Sequence, residues 1–109
     1  MATIGMTKIK NAFKRHNIPV TFKLHNIRIN GELRGCSGFI IHEPSGRIAY
    51  VDTEQSCFGP LSDKFMYRSA DSLKDYGGHR NRWTDNRDID SLVMDIDKMF
   101  HEDDRRFAA

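Results

Sequence analysis

The chain has 109 residues, of which 39% are hydrophobic and 29% charged, and its formal net charge is +2. Such a composition excludes the disordered and membrane-spanning classes and fits one compact domain. The first residues lack the pattern of a signal peptide, and Cys36 and Cys57 lack the CxxC spacing of a zinc or disulfide framework. We therefore expect a cytoplasmic protein with reduced thiols.

The first predicted element is a helix whose apolar residues recur at i, i+3 and i+7 from Met6. Thr3 or Thr7 is expected to cap its start. The helix is expected to end near Asn17, because Pro19 disfavours helical geometry in the residue before it.

An antiparallel meander of strands is predicted next. Hydrophobic alternation from residue 20 changes phase near His25 and Asn26, which indicates a bulge there or a strand with core on both faces. Asn30-Gly31 predicts a type I′ hairpin turn, because both of its central positions need positive φ. The second strand is expected over about 33–42 and the third over 47–52, with a turn at 43–46 between them.

The second half of the chain has weaker periodicity until its last helix. Residues 53–63 predict a loop, 65–68 a short fourth strand, and 71–76 a single helical turn before two glycines. Asp88 is expected to cap a final helix with one broad apolar face. Residues 102–109 are expected to fray.

Together these elements predict an α+β fold, with a single domain over residues 1–101. Its sheet is an antiparallel meander of three to four strands, on which an N-terminal and a C-terminal helix pack. The expected core residues lie on the apolar phase of their elements: Phe13, Phe22, Leu24, Ile40, Ile48, Leu92, Val93 and Ile96.

The charges are unevenly distributed along the chain. Residues 1–35 contain seven Lys or Arg and one acidic residue, whereas residues 88–109 contain seven acidic and three basic residues. This layout fits attraction of an anionic partner, head-to-tail docking of two copies as a homodimer, or solvation of two opposed surfaces, which is the commonest outcome. If nucleic acid binds the basic third, phosphate contacts are expected from Lys8, Lys10, Lys14, Arg15, Lys23 and Arg28.

The segment 76–87 is the strongest candidate binding surface. It combines the only tryptophan with arginines, a histidine and asparagines, and Trp, Tyr and Arg are enriched at binding hot spots. The predicted partner-binding residues are Tyr76, His79, Arg80, Arg82, Trp83 and Arg87. A structural role is the alternative, because a lone tryptophan is slightly more often a core anchor and the arginines can pair with Asp85, Asp88 or Asp90.

No catalytic constellation, metal site or cofactor is predicted. The segment 35–38 has a cysteine and a serine between two glycines, but it lies within the predicted second strand, which leads to another strand and not to the helix of a nucleophile elbow. Cys36 is therefore expected to be a buried structural residue. The five histidines include no pair at i, i+3 or i+4 spacing, and no phosphate-binding glycine pattern is present.

The order of a helix, three strands and a helix resembles that of the double-stranded-RNA-binding domain, with residues 7–52 following its layout. That family places a basic helix N-terminus against phosphates. Here the last helix opens with Asp88-Ile89-Asp90, which would repel phosphate. The resemblance therefore concerns topology alone.

Three blocks resemble segments of small proteins from phages and other mobile elements, namely Tyr67-Arg68-Ser69-Ala70, Leu73-Lys74-Asp75-Tyr76-Gly77-Gly78 and Asn81-Arg82-Trp83. Such proteins include inhibitors of host defence, among them anti-CRISPR proteins, which commonly occupy a surface of a large host complex. The resemblance implies a small non-enzymatic protein that binds a protein or ribonucleoprotein complex. Direct binding of nucleic acid is the alternative, and enzymatic action comes third.

Overall fold

A computed structural model describes residues 3–54, 64–77, 80–86 and 88–102 of this protein. Within these residues the fold is α+β, with two helices and an open antiparallel sheet of five strands in the order β1-β2-β3-β4-β5, which is also their order along the chain. The elements are α1 Met6–Arg15, β1 Val20–Ile29, β2 Glu32–His42, β3 Ile48–Asp52, β4 Met66–Ala70, β5 Arg82–Trp83 and α2 Ile89–Phe100.

The predicted meander is confirmed, but the described sheet has five strands where three to four were expected. The additional strand, β5, consists of two residues and pairs with the first two residues of β4. A strand of two residues cannot show hydrophobic alternation, so the sequence pattern could not reveal it. Residues 72–75 form a hydrogen-bonded turn instead of a helical segment, with the Asp75 N–H donating to Ser72 O.

The predicted hairpin turn between β1 and β2 is confirmed. Asn30 and Gly31 have φ angles of 53° and 78°, as a type I′ turn requires. The bulge lies between Ile27 and Arg28, two residues later than expected. The predicted position of the bulge was wrong because Asn26, although polar, continues the regular alternation of β1 and points to the helical side of the sheet. There its Oδ1 accepts a hydrogen bond from the Met6 N–H.

One face of the sheet carries both helices and the hydrophobic core. The core combines α1 and α2 residues with alternate residues of β2, β3 and β4, such as Ile40, Val51 and Tyr67. The close pairing of β1 with β2 depends on Gly38, because a Cβ at that residue would lie 2.2 Å from the carbonyl oxygen of Lys23. The backbone of β1 thus approaches β2 most tightly at a residue without a side chain.

The core prediction is confirmed for its helical residues and Ile40, all of which are buried. Phe22 and Leu24 are partly buried and pack against the core. Ile48 is also only partly buried and pairs with Ile41 and Ala70 on the opposite face of the sheet. The prediction for Ile48 was wrong because β3 carries apolar residues in both phases, and Ala49 and Val51 occupy the core.

The two helices begin in different ways. Asp88 caps α2 as predicted, with its carboxylate accepting from the Ser91 N–H at 3.0 Å. The prediction of a threonine cap on α1 was wrong, since Gly5 is the N-cap and makes no side-chain cap bond. The carboxamide of Asn26 supplies an acceptor there from β1, a long-range contact that local sequence rules do not capture.

Among the described residues, no helix has the length and apolar character needed to cross a membrane.

Candidate partner-binding surface

The face of the sheet opposite the helices, hereafter the outer face, carries an ordered row of side chains. Lys23, Phe39, Tyr50 and Arg68 are direct cross-strand partners on β1, β2, β3 and β4. Residues directly opposite in an antiparallel sheet point to the same side, so the four side chains lie next to one another. The aromatic rings at the centre of the row meet edge to face, with centroids 5.2 Å apart.

Arg68 is a charged residue buried on this outer face, with only 1% of its surface exposed. Its guanidinium carbon lies 4.6 Å from the centroid of the Tyr50 ring, and its N–H groups donate to the backbone oxygens of Ser69 and Asp75. The Asp75 carboxylate lies 3.6 Å away. Burial lowers the pKa of Arg68, and the Asp75 carboxylate opposes this effect. Arginine stays protonated in proteins, so the row contains a fixed, paired positive charge.

The residues 71–77, hereafter the 71–77 loop, are tied down by two arginines. Arg80 contacts the carboxylates of Asp71 and Asp75 at 3.1 Å and 3.2 Å, and the Asp71 N–H donates to the Asp75 carboxylate at 3.0 Å. Asp75 thus connects the partly buried Arg80 with the fully buried Arg68. The charge pattern of the sequence had offered Asp85, Asp88 or Asp90 as partners of the arginines, but the carboxylates beside Arg80 lie on the 71–77 loop.

Tyr76 is the most exposed large hydrophobic residue among the described residues, at 66%. Its ring packs edge to face with two rings of the outer face, with centroid distances of 5.2 Å to Phe39 and 6.1 Å to Tyr50. Leu73 of the same loop is 40% exposed. The 71–77 loop therefore presents an aromatic and an aliphatic side chain from a backbone that ion pairs hold in place.

Arg82 and Trp83, predicted to share one surface, point to opposite faces of the sheet because they are neighbours in a strand. Trp83 lies opposite Met66, which places it on the outer face, and it is 37% exposed. Arg82 lies opposite Tyr67 on the helical side and binds both carboxylate oxygens of Glu102, one of them at 2.8 Å. If the sequence had indicated that β5 is a strand, the alternation of side chains would have placed Arg82 and Trp83 on opposite faces.

The predicted partner-binding residues other than Arg82 fall into three groups. Tyr76 and Trp83 share the outer face, and Arg80 supports the 71–77 loop. His79 and Arg87 lie outside the described residues.

The six cations predicted to contact nucleic acid are spread over different sides of the molecule. Lys23 lies on the outer face, whereas α1, which carries Lys8, Lys10, Lys14 and Arg15, packs on the helical face. Several of them also have partners within the chain. The Lys8 ammonium donates to Thr3 O, Lys10 lies 5.9 Å from the Phe22 ring centroid, and Arg28 donates to Gly31 O.

Arg15 links α1 to the start of α2 through an ion pair. Its guanidinium lies 2.8 Å from the Asp90 carboxylate, which also contacts His16 at 2.9 Å. The hydrogen bonds from Arg15 and His16 hold the pKa of Asp90 below its usual range. An open depression next to this pair is lined by further aspartates, including Asp85, Asp88 and Asp95. This end of α2 is therefore electronegative and does not suit phosphate.

Cys36 is buried, as predicted, and is unsuited to act as a nucleophile. The Thr53 hydroxyl lies near it and links Ile4 O to the Cys36 backbone N–H. Burial raises the pKa of the Cys36 thiol to about 11, so the thiolate is scarce at neutral pH. Cys57 lies outside the described residues.

The structure also assembles a cluster that sequence analysis did not identify. His42 at the end of β2 lies beside Asp97 and His101 at the end of α2, and one ligand atom from each lies within 4.8 Å of the others. The histidines are far apart in sequence, which is why their spacing suggested no metal site. The i, i+4 spacing of Asp97 and His101 was the available sequence feature.

Comparison of this chain with protein families, curated proteins and solved structures found no match.

Proposed function

We propose that this protein is a small non-enzymatic binding protein that engages a macromolecular partner through the outer face of its sheet. The observation that carries the proposal is the position of Tyr76. Tyr76 is two-thirds exposed, although its ring contacts the rings of Phe39 and Tyr50 and ion pairs fix its loop. Leu73 adds exposed apolar area on the same loop. Trp83 adds exposed apolar area on the outer face of the sheet.

This arrangement suits binding because the Tyr76 side chain and its loop are already ordered in the folded protein, so a partner does not have to order them. Ordering a mobile side chain at an interface costs roughly 0.5–1.5 kcal/mol, and a held aromatic ring avoids most of that cost. Tyr and Trp are also enriched among the few residues that dominate binding energy. The buried Arg68 and the Asp75 carboxylate serve as supports for the ring rather than as contacts.

The class of partner is proposed from the phage and mobile-element resemblance of the blocks that surround this surface. Those blocks contain Tyr76 and Trp83 themselves. We therefore propose a protein or ribonucleoprotein complex of a host defence system as the partner, in the cytoplasm. Inhibition would follow from occupation of a surface of that complex.

Direct nucleic-acid binding is the second candidate, and one observation favours it. Lys23 is the cross-strand neighbour of Phe39, against which Tyr76 packs. A cation beside an exposed ring can hold a single strand through phosphate contact and base stacking. The acidic start of α2 and the internal contacts of Lys8 and Lys10 limit the rest of the basic surface.

The test is affinity capture from host lysate with three immobilised proteins: wild type, Tyr76→Ala and Met94→Ala. Met94 is a matched control, because it is an exposed large apolar residue on α2, away from the outer face. We expect wild type and Met94→Ala to retain the same protein species and Tyr76→Ala to lose it, with all three proteins melting at nearly the same temperature. Nuclease treatment should leave the captured species unchanged.

Two outcomes would contradict the proposal. Retention of the same species by Tyr76→Ala would show that the outer face is not the interface. Loss of the captured material after nuclease treatment, together with a steep fall in binding as salt is raised, would instead support the nucleic-acid alternative.

A further inference from the structure

We propose that His42, Asp97 and His101 form a binding site for a divalent transition-metal ion of the zinc type. The site joins two distant parts of the fold, since His42 is the last residue of β2 and the other two lie one helical turn apart at the end of α2. Two imidazoles and a carboxylate are ligands that zinc accepts in proteins. Three protein ligands leave one position of a tetrahedral ion open for water.

The helical half of the site already has the required spacing. His101 Nε2 and Asp97 Oδ1 are 3.4 Å apart. Two ligands bound to one tetrahedral zinc ion at bonds of about 2.0–2.1 Å lie roughly 3.4 Å from each other. The three ligand atoms together span at most 4.8 Å, so a small rotation of the exposed His101 side chain would complete the set.

His42 is oriented by contacts that leave one ring nitrogen for the ion. Its Nδ1 lies 2.7 Å from Ser45 Oγ, and its ring stacks on Phe100 with centroids 4.9 Å apart and planes inclined by 16°. In the tautomer with the proton on Nδ1, that nitrogen donates to Ser45 and Nε2 presents its lone pair. A hydrogen bond of this kind on the second nitrogen is typical of metal-binding histidines, because it fixes tautomer and ring orientation.

The end of α2 is fixed beside His42 by an arginine. Arg47 donates to the carbonyl oxygens of Phe100 and Glu102 at 2.6 Å and 2.8 Å. These bonds cap the helix and hold residues 100–102 against the turn that follows β2. The positive charge of Arg47 repels a metal ion bound nearby, and the negative charge of the Asp97 carboxylate offsets this repulsion. Arg47 therefore acts as a positioning residue for the site.

The proposal is tested by calorimetric titration of the metal-free, tag-free full chain with zinc chloride and, separately, magnesium chloride. We expect one zinc ion per chain and no comparable binding of magnesium, which prefers oxygen ligands. His101→Ala and Asp97→Asn should each weaken zinc binding at least tenfold. His25→Ala is the matched control, because it removes an exposed histidine on the outer face and should leave the affinity unchanged.

Ser45→Ala provides a test that spares every ligand. It removes the hydroxyl beside His42 Nδ1 and should weaken zinc binding about tenfold or more, as loss of an orienting partner typically does. His42→Ala is avoided because its ring packs in the core region beside Phe100. The proposal is overturned if wild type binds no zinc, or if His101→Ala and Asp97→Asn bind zinc as tightly as His25→Ala does while circular dichroism shows all variants folded.

Discussion

Replacement of Asp75 by asparagine should expose the role of the buried charge of Arg68. The Arg68 side chain is 1% exposed and that of Asp75 is 12% exposed, so the pair is nearly shielded from water. Removing one partner of a buried ion pair costs about 3–5 kcal/mol, because the remaining charge is left without compensation. Arg68 keeps its bonds to the backbone oxygens of Ser69 and Asp75. We therefore expect the lower end of that range, about 3 kcal/mol.

Urea unfolding followed by circular dichroism measures this loss directly. With a slope of about 2 kcal/mol per molar urea, the midpoint should fall by roughly 1.5 M. Asp71→Asn is the matched control, because Asp71 also pairs with Arg80 but its side chain is 66% exposed. An exposed pair contributes at most about 1 kcal/mol, so the control should shift the midpoint by less than about 0.5 M.

Measuring Asp75→Asn in an Arg68→Met background tests whether the loss of stability comes from the buried charge of Arg68. Without the buried charge, Asp75→Asn should cost little more than the loss of its contacts with Arg80 and the Asp71 N–H. Equal costs of Asp75→Asn in both backgrounds would refute the role assigned to Arg68. Equal shifts for Asp75→Asn and Asp71→Asn would refute it as well.

Three further predictions concern the core, the thiol and the contact between the helices. Leu92→Ala should lower the free energy of unfolding by roughly 2–5 kcal/mol in the same urea assay, because Leu92 is fully buried. In a Cys57→Ser variant, Cys36 should resist alkylation at pH 8 until the protein unfolds, since its pKa is raised to about 11. The pKa of Asp90 in the folded protein is below its ordinary value of 3.8. The contribution of Asp90 to the free energy of unfolding should therefore be fully present above pH 3.8 and be lost as the pH falls through the pKa of the folded state. Asp90→Asn should remove that part of the acid dependence in thermal melts.

Local rules predicted the parts of the fold that depend on neighbours in sequence. Asn30-Gly31 needed only its own backbone preference to mark the hairpin, and Asp88 needed only the N–H three residues later to cap α2. The apolar periodicity of α2 likewise predicted its buried face correctly. The α+β class and the meander followed from these elements.

The parts that sequence analysis missed depend on contacts between distant residues. Arg68 looked like an ordinary basic residue, yet strand pairing places it beneath the 71–77 loop. Tyr76 gained its supported position only because Phe39 lies across the sheet. The proximity of His42 and His101 required β2 and α2 to end at the same corner of the fold. No spacing rule along the chain contains that information.

The contact between the first and last helices has a consequence for the order of folding events. Arg15 and Asp90 are 75 positions apart in sequence, whereas the strands of the meander pair with their neighbours along the chain. Closing a long loop costs more entropy than closing a hairpin, so long-range contacts tend to form late. We therefore expect the β1-β2 and β2-β3 hairpins to form before α2 docks. In stopped-flow kinetics Leu92→Ala should then accelerate unfolding and leave the refolding rate nearly unchanged.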